Sequence, residues 1–482
     1  MKANGIATAA FAAGLLSTAA AQCSNVLVPT YQAPVVAAGW QAQLITNGLK
    51  KPRSIAWDSA GGLLVLDSGN GIVRYTFKDN GDTCLEVATQ NVLVNSPKLN
   101  HGLALSTDGK TLYASTVEAV FSWDYDASSG KVSGTNRTLI NNMSNNDIVT
   151  RTLLISQKEP GMLVVSRGGA GDDDLTAATV LGSGLSQIRA FNLANLTSDS
   201  KPYDFDNSGL VLGWGLRNSV GVAEHPVTGG IYSVENSIDG VTRNGTDIHE
   251  NNPGEELNFH GYLNGTTAEV QGKNYGYPKC FAVWDPQEIP ENAGLTVGTQ
   301  FAMTENSTMT DETCASDYVA PRLTFPAHQA PLDIKFTADG SEAYVSFHGS
   351  FDTSSPTGYR VSVLAFNNQT GEPVADASST TALTDIISNK NVTECPGKCF
   401  RPVGLAWDAA GRLWMSSDTT GELYVLKKTS STPTSSSPSS TSSGTLVTST
   451  SKPDSAAGAL FGKAPAAVVL GAAVFVAGLL AL

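Results

Sequence analysis

Basic charge is in short supply: 30 Lys and Arg stand against 44 Asp and Glu, a formal net charge of −14 over 482 residues. Such a surface repels polyanions, so nucleic acid is not an expected partner. A sustained helical period is missing between residues 22 and 428, which argues against an α/β fold. Cysteine is sparse, at 6 residues, and apart from Cys395-x-x-x-Cys399 no Cys or His pair has the spacing of a zinc site. No basic flank follows the apolar C-terminus at Leu482, which disfavours a spanning helix with a cytoplasmic tail.

The two ends carry an export plan instead. Lys2, the apolar residues 7–16 and the small residues 17–21 make a signal peptide of residues 1–21, with cleavage near Ala21. Residues 429–451 are almost all Ser, Thr and Pro, too polar to bury a core, and predict a disordered, O-glycosylated stalk over 429–455. Ser455-Ala456-Ala457-Gly458, a short spacer and the apolar tail 464–482 have the layout of a glycolipid (GPI) anchor signal over 456–482. That signal is removed as lipid is attached near Ser455, tying the protein to the plasma membrane or cell wall. The competing reading of the tail is a single membrane span.

An even number of cysteines in an exported chain implies disulfides, and six allow fifteen connectivities. The assignment taken is Cys23–Cys84, Cys280–Cys314 and Cys395–Cys399. Asn136, Asn142, Asn195, Asn244, Asn264, Asn306, Asn368 and Asn391 all stand in Asn-x-Ser/Thr, as expected of a secreted glycoprotein.

Residues 22–428 are long for one ordinary core but suit a repeat fold. One phrase recurs through them: apolar strand, turn with Asp and Gly, apolar strand. It reads RSIAWDSAGGLLVLDS from Arg53, HGLALSTDGKTLYAST from His101 and, more loosely, RTLLISQKEPGMLVVS from Arg151. It returns as NSVGVAEHPVTGGIYSVE from Asn218, PLDIKFTADGSEAYVSF from Pro331 and PVGLAWDAAGRLWMSSD from Pro402. Period-2 alternation with Gly at the turns makes each phrase a β-hairpin. Six hairpins predict an all-β, six-bladed β-propeller, with a large loop insertion at residues 251–322 between the fourth and fifth phrases. A β-sandwich is the structural rival.

In a propeller the residues just before each inner strand converge on one rim of the central channel. Here they are Arg53, His101, Arg151, Arg217 with Asn218, His328 with Gln329, and Arg401; outgoing strands end at Arg167, at the cluster 235–239, at His348 and at Asp418. A ring of Arg and His on an acidic protein reads as a cup for a small, multiply negative ligand, because guanidinium groups hold carboxylates in bidentate geometry. Each member also has a plainer reading. His101, His328 and His348 serve equally as hydrogen-bonded structural histidines, the arginines as solvated or paired groups, and Glu255 and Glu256 as loop caps. His225, His249 and His260 read as structural or surface residues.

The phrases LNHG, GLRNSVG, SVENS, GEELN, GKNYGYP, SFHGSFD and RPVGLAWD resemble the soluble glucose and sorbosone dehydrogenase family of quinoproteins. Within it, the resemblance is to secreted fungal pyranose dehydrogenases that use pyrroloquinoline quinone. It runs through residues 51–426 and is weakest over 124–210 and 280–314. It implies a cofactor with three carboxylates, together with calcium held by backbone carbonyls of Ser237 and Ile238. His101 is similar to the family's catalytic base, and Arg217 with Asn218 to the pair at the quinone oxygens, Arg217 polarising the reacting carbonyl. Arg53, His348 and Arg401 would contact the cofactor's carboxylates or ring, as would Arg167, Asn236 and His328. The implied activity is oxidation of a sugar at its anomeric carbon by a monomeric enzyme. Some fungal relatives carry a cytochrome domain and a carbohydrate-binding module, which this chain has no room for. Electrons would therefore pass to an external acceptor: a secreted cytochrome, a copper enzyme or a small quinone. The rival functions are a calcium-dependent lactonase, which would need acidic and amide side chains at most blade ends, and a non-catalytic, wall-displayed sugar-binding propeller.

Overall fold

The computed structural model describes residue 23 and residues 26–171, 175–351 and 353–429. The expected signal peptide, the anchor signal and, apart from Thr429, the stalk lie outside the described residues.

Each repeat phrase closes because its turn supplies its own acceptor. Asp58 Oδ1 accepts from the amides of Ala60 and Gly62, and Asp408 Oδ1 from those of Ala410 and Arg412. Asp108 and Asp339 do the same for Lys110 and Ser341. The adjoining Gly61, Gly109, Gly340 and Gly411 take positive φ, which a Cβ would resist.

The hairpins extend into six sheets of four or five strands. Their inner strands are Pro52–Trp57, Leu103–Leu105, Leu153–Ile155, Ser219–Glu224, Pro331–Phe336 and Pro402–Trp407, which begin blades 1 to 6 in chain order. The fold is the six-bladed β-propeller expected. Its ring is closed by a strand from the far end of the domain: Trp40–Thr46 pairs antiparallel with Glu422–Lys428 as the outer strand of blade 6. An apolar cluster fills each interface. Leu64, Ile72, Leu112 and Trp123 pack between blades 1 and 2, and Ile55, Leu63, Trp414 and Val425 between blades 6 and 1, with equivalent sets between.

The inner strands approach closely enough to exclude side chains at set points. A Cβ on Gly404 would lie 2.4 Å from the carbonyl oxygen of Arg53, and one on Gly102 would lie 2.2 Å from that of Arg151. Serines in the second strands stitch the same seams: Ser416 Oγ donates to Arg53 O at 2.6 Å, Ser346 Oγ to Val403 O at 2.6 Å and Ser115 Oγ to Arg151 O at 2.7 Å. The glycines of GLAL and GLAW are thus blade-packing residues as well as parts of a motif.

A small ribbon, Thr242–Arg243 with Thr246–Asp247, precedes the insertion, which itself adds a second ribbon, Cys280–Ala282 with Gln300–Ala302, and one helix, Asp311–Asp317. Thr310 caps that helix by accepting from the Thr313 amide. The wholly buried Arg243 grips Asp311 through two 2.9 Å bonds. All three disulfides pair as assigned, with Cys280–Cys314 tying the helix to its ribbon. Seven of the eight sequon asparagines are exposed and Asn391 is half-buried. Among the described residues no helix is long and apolar enough to cross a membrane.

Gly404→Ala is expected to destabilise the ring by about 1–3 kcal/mol, because the clash is with backbone that cannot swing aside. Gly182→Ala, which would meet nothing within 4 Å, serves as the near-neutral control. Calorimetric melting of both variants checks this; equal melting temperatures would show that the seam yields.

Candidate active site

Four blades meet in one buried network at the converging strand ends. Arg53, opening blade 1, donates from Nη1 to Asp418 Oδ2 at 2.6 Å and from Nε to His101 Nδ1 at 3.2 Å. Asp418, just past the second strand of blade 6, accepts from His348 Nε2 at 2.8 Å with its other oxygen. Arg401 hooks under the blade 5 end, donating to the carbonyls of His348 and Gly349, and lies over the Tyr359 ring. Arg53 Nη2 and Arg401 Nη1 have no partner among the described residues.

The electrostatics follow from burial between fixed charges. Burial, then the Arg53 cation, holds His101 well below the ordinary histidine range, so its ring is neutral. Burial also lowers His348, to about 4, against the pull of Asp418. Burial would raise Asp418, but His348 and Arg53 hold it well below the usual carboxylate range. A neutral His348 that donates from Nε2 leaves Nδ1 as a bare acceptor, and that atom is buried without a partner. Arg53 has no lone pair to give, so His101 Nδ1 is the acceptor and the proton of the neutral ring sits on Nε2. His101 also lines a cavity of about 190 Å³ between the inner strands, with Thr152, Leu332, Asp333 and Lys335.

A second network surrounds Arg217. Its guanidinium pairs with Asp239 at 3.4 Å, and Asp239 accepts from His328 Nδ1 at 3.2 Å. Burial would lower His328, but hydrogen bonds to Asp239 and to the His249 carbonyl raise it to about 9, so it is charged at neutral pH. Buried glutamates shape the backbone beneath. Glu235 accepts from the Arg217 amide at 2.6 Å, while Glu255 accepts from the amides of Ser237 at 2.7 Å and Ala330 at 2.9 Å. Glu255 thereby fixes both the 237–238 turn and the turn in which His328 and Ala330 take positive φ. Glu256 shares the Asn258 amide with Glu235.

The structure brings Arg53, His101, His348 and Arg401 together, and separately Arg217 with His328. Asn218 is half-buried behind Arg217, and its carbonyl accepts from the Asn236 amide at 3.0 Å. The Asn236 side chain is spent on the Pro331 carbonyl, tying blade 4 to blade 5. Arg167 is engaged by Asp206 and the Ser144 carbonyl. Ile238 packs its side chain in the apolar core of the insertion. Arg151 does not join the rim: it is wholly buried and donates to the carbonyls of Met143, Ile148 and Thr150. Asp418 stood among the strand-end residues, but its part as the hub of the network carried no signal in the sequence. Lys51, half-buried beside Arg53, adds a further cation that sequence reasoning missed. Among the described residues no cluster of three His, Cys, Asp or Glu is placed to hold a metal.

The fold and this rim define a propeller with a cationic, histidine-bearing cup. Residues 34–429 match the model of the TrAA12-like family, and the chain belongs to that family. It is 50% identical over 416 residues to a Hypocrea jecorina "pyrroloquinoline quinone-dependent sugar dehydrogenase", covering 86% of this chain and 94% of the relative. It is 37% identical over 423 residues to a Coprinopsis cinerea "pyrroloquinoline quinone-dependent pyranose dehydrogenase", covering 85% of this chain and 56% of that longer protein. A calcium structure of a Trichoderma reesei family AA12 carbohydrate-active enzyme superposes with a TM-score of 0.81 at 50% identity, covering 84% of this chain and 100% of that one. The holo pyranose dehydrogenase quinone domain of Coprinopsis cinerea gives 0.78 at 35% identity, covering 84% and 99%.

Burial lifts Glu256 from 4.5 to about 7. A raised carboxylate stabilises the fold below its unfolded value, and that contribution is lost as pH rises through about 7. Glu256→Gln is therefore expected to melt higher than the parent at pH 8, by an amount on the order of a few kcal/mol, and close to it at pH 4.5. An unchanged difference between the two pH values would show that Glu256 is ionised at no cost.

Proposed function

We propose that the chain is a pyrroloquinoline quinone-dependent sugar dehydrogenase that oxidises a pyranose at its anomeric carbon. The observation that carries this reading is the cup itself, found in a chain of this family. Arg53 and Arg401 each keep a guanidinium nitrogen uncommitted, and His101 stands against Arg53 and lines the cavity between the inner strands. Uncommitted guanidinium donors at the end of a rigid sheet suit a small polycarboxylate. The donor set therefore fits the quinone: Arg53 and Arg401 would hold its acidic edge, His348 would offer its acceptor Nδ1 to a ring N–H, and Arg217 and Asn218 would lie toward its carbonyl oxygens. For calcium, the fit rests on the carbonyl oxygens of Ser237 and Ile238, which accept no hydrogen bond among the described residues, and on Asp239 beside them. Hard oxygen donors of this kind suit calcium better than a softer metal. Arg167, Asn236 and His328 have less to offer a ligand directly, since both Arg167 Nη atoms, the Asn236 amide nitrogen and both His328 ring nitrogens are engaged within the protein.

When bound, the quinone would supply a hydride-accepting carbonyl, and calcium would add charge stabilisation there. His101 removes the proton of the anomeric hydroxyl, so the sugar leaves as a lactone. As arranged here, neither ring nitrogen of His101 can take that proton: Nδ1 is filled by Arg53 and Nε2 carries hydrogen. Base work requires Arg53 to release Nδ1, and a carboxylate in the cup competes for that guanidinium. Arg217, next to the charged His328, stabilises negative charge on the acceptor side of the site. Glu235 and Glu255 position both from below. The electrons would then leave to an external acceptor such as a secreted cytochrome, a copper enzyme or a small quinone.

The three disulfides and the exposed sequons support an exported glycoprotein. We extend this to a monomeric propeller of residues 22–428 carried on a Ser/Thr/Pro stalk with a GPI anchor.

Adding pyrroloquinoline quinone and calcium to folded apoprotein should shift the cofactor absorbance and start sugar-dependent dye reduction. Folded protein with no spectral change would favour the lactonase or the binding module. In the loaded protein His101→Ala should slow turnover about a hundred- to ten-thousandfold while cofactor affinity stays within a few-fold. Nitrogen-15 NMR should find the His101 proton on Nε2 in the apoprotein, and loading should break the hydrogen bond from Arg53 to Nδ1. Near-normal turnover of His101→Ala would remove His101 as the base.

A further inference from the structure

Outside the cup, a cleft of about 530 Å³ opens between blades 4 and 5. This size falls within the range of about 300–1,000 Å³ typical of small-molecule sites. One wall is Trp284, brought by the insertion, with Thr324 from the outer strand Leu323–Phe325 of blade 4; the other is Arg360, Thr384 and Asp385 of blade 5. Arg360 Nη2 donates to Gln329 Oε1 at 2.7 Å, and its Nε lies 3.2 Å from Asp385 Oδ1 as an ion pair without a directed hydrogen bond. Thr324 is 2% exposed and its hydroxyl has no partner, nor has Arg360 Nε. The half-buried Trp284 ring has no ring partner and no indole N–H bond among the described residues. One cation and one carboxylate cancel, so the cleft does not select a charged ligand. What it offers is an aromatic face beside paired donors and acceptors. That combination fits a pyranose ring, whose C–H face packs on an aromatic plane while its hydroxyls each need both a donor and an acceptor.

We propose that this cleft is an accessory binding site for a neutral saccharide, separate from the cup. It adjoins the active rim through Gln329, which ties Arg360 and Thr357 together next to His328. A ligand seated there would hold a longer sugar chain against the protein beside the rim.

Cellotetraose and glucose are titrated, by calorimetry and saturation-transfer NMR, into full-length protein with and without added quinone and calcium. The chains compared are wild type, Trp284→Ala, Asp385→Ala and Arg401→Gln. Wild type should bind cellotetraose in both states. Trp284→Ala and Asp385→Ala should weaken that binding about tenfold or more, the equivalent of about 1.4 kcal/mol, without changing dye-linked glucose oxidation, and Arg401→Gln should leave it intact. Asp385 is exposed, so its variant reports on the cleft even if Trp284→Ala is unstable. No binding by wild type, equal binding by both cleft variants, or loss confined to Arg401→Gln would overturn the proposal, the last by placing the sugar in the cup. Cellotetraose binding without any sugar oxidation would keep the cleft and overturn the dehydrogenase reading.

Discussion

The strand that closes the ring is the constraint on which the site depends. Trp40–Thr46 fills the outer edge of blade 6, and this fixes blade 6 against blade 1. The ion pair at the heart of the cup crosses that same seam: Arg53 belongs to blade 1 and Asp418 to blade 6, 365 residues apart in the chain. Ring closure and active-site assembly are therefore one event. An unclosed ring would leave the edge of blade 6 unpaired and Asp418 without its Arg53 partner, and breaking a buried ion pair costs several kcal/mol.

Two aspartates organise the cations. Asp418 spaces Arg53 from His348, and Asp239 spaces Arg217 from His328. Without Asp239 the like charges of Arg217 and His328 would repel, and without Asp418 the neutral His348 would lose its acceptor and Arg53 its counter-ion; with them, the Arg53–Arg401 cluster still keeps donors after its internal bonds are made. An acidic protein thus presents a locally cationic cup. The glutamates of GEELN serve another purpose. Their oxygens take backbone amides, so they set the direction of turns and leave ligand contact to the residues above them. Burial raises them toward neutral pH, and they are the part of the site where stability and protonation are most tightly linked.

Much of the fold was legible because the hairpin phrase carries its own cause. Asp58 and Asp408 make their turns with local amides, and the apolar runs of second strands such as Leu63–Asp67 follow from packing against a neighbouring blade on both faces. His101, Arg53 and Arg401 could be placed near one another because each stands at the same point of its phrase. The direction of a side chain at that point was not legible. Arg151 occupies the equivalent position in blade 3 but turns inward to three carbonyls of the preceding loop. Asn236 turns to the Pro331 carbonyl because blade 5 lies beside it, a neighbour 95 residues on. The closing strand was hidden for the same reason: WQAQLIT alternates as a strand should, but its partner lies at the other end of the propeller.

The Arg53–His101 contact shows how a ligand-free cup can be complete in its residues and still not poised for catalysis. A guanidinium only donates, so its bond to Nδ1 keeps the imidazole proton on Nε2, and burial beside that cation keeps the ring from taking a second proton. Both nitrogens are thereby closed to base work. The bond is also the weaker of the two that Arg53 makes to side chains, at 3.2 Å to a neutral ring against 2.6 Å to a carboxylate. An anion entering the cup would therefore displace the imidazole from Arg53 before it displaced Asp418. On the proposed reading of His101 as the base, that exchange would free it and keep the seam intact, so the charge that recognises the ligand would also release the imidazole.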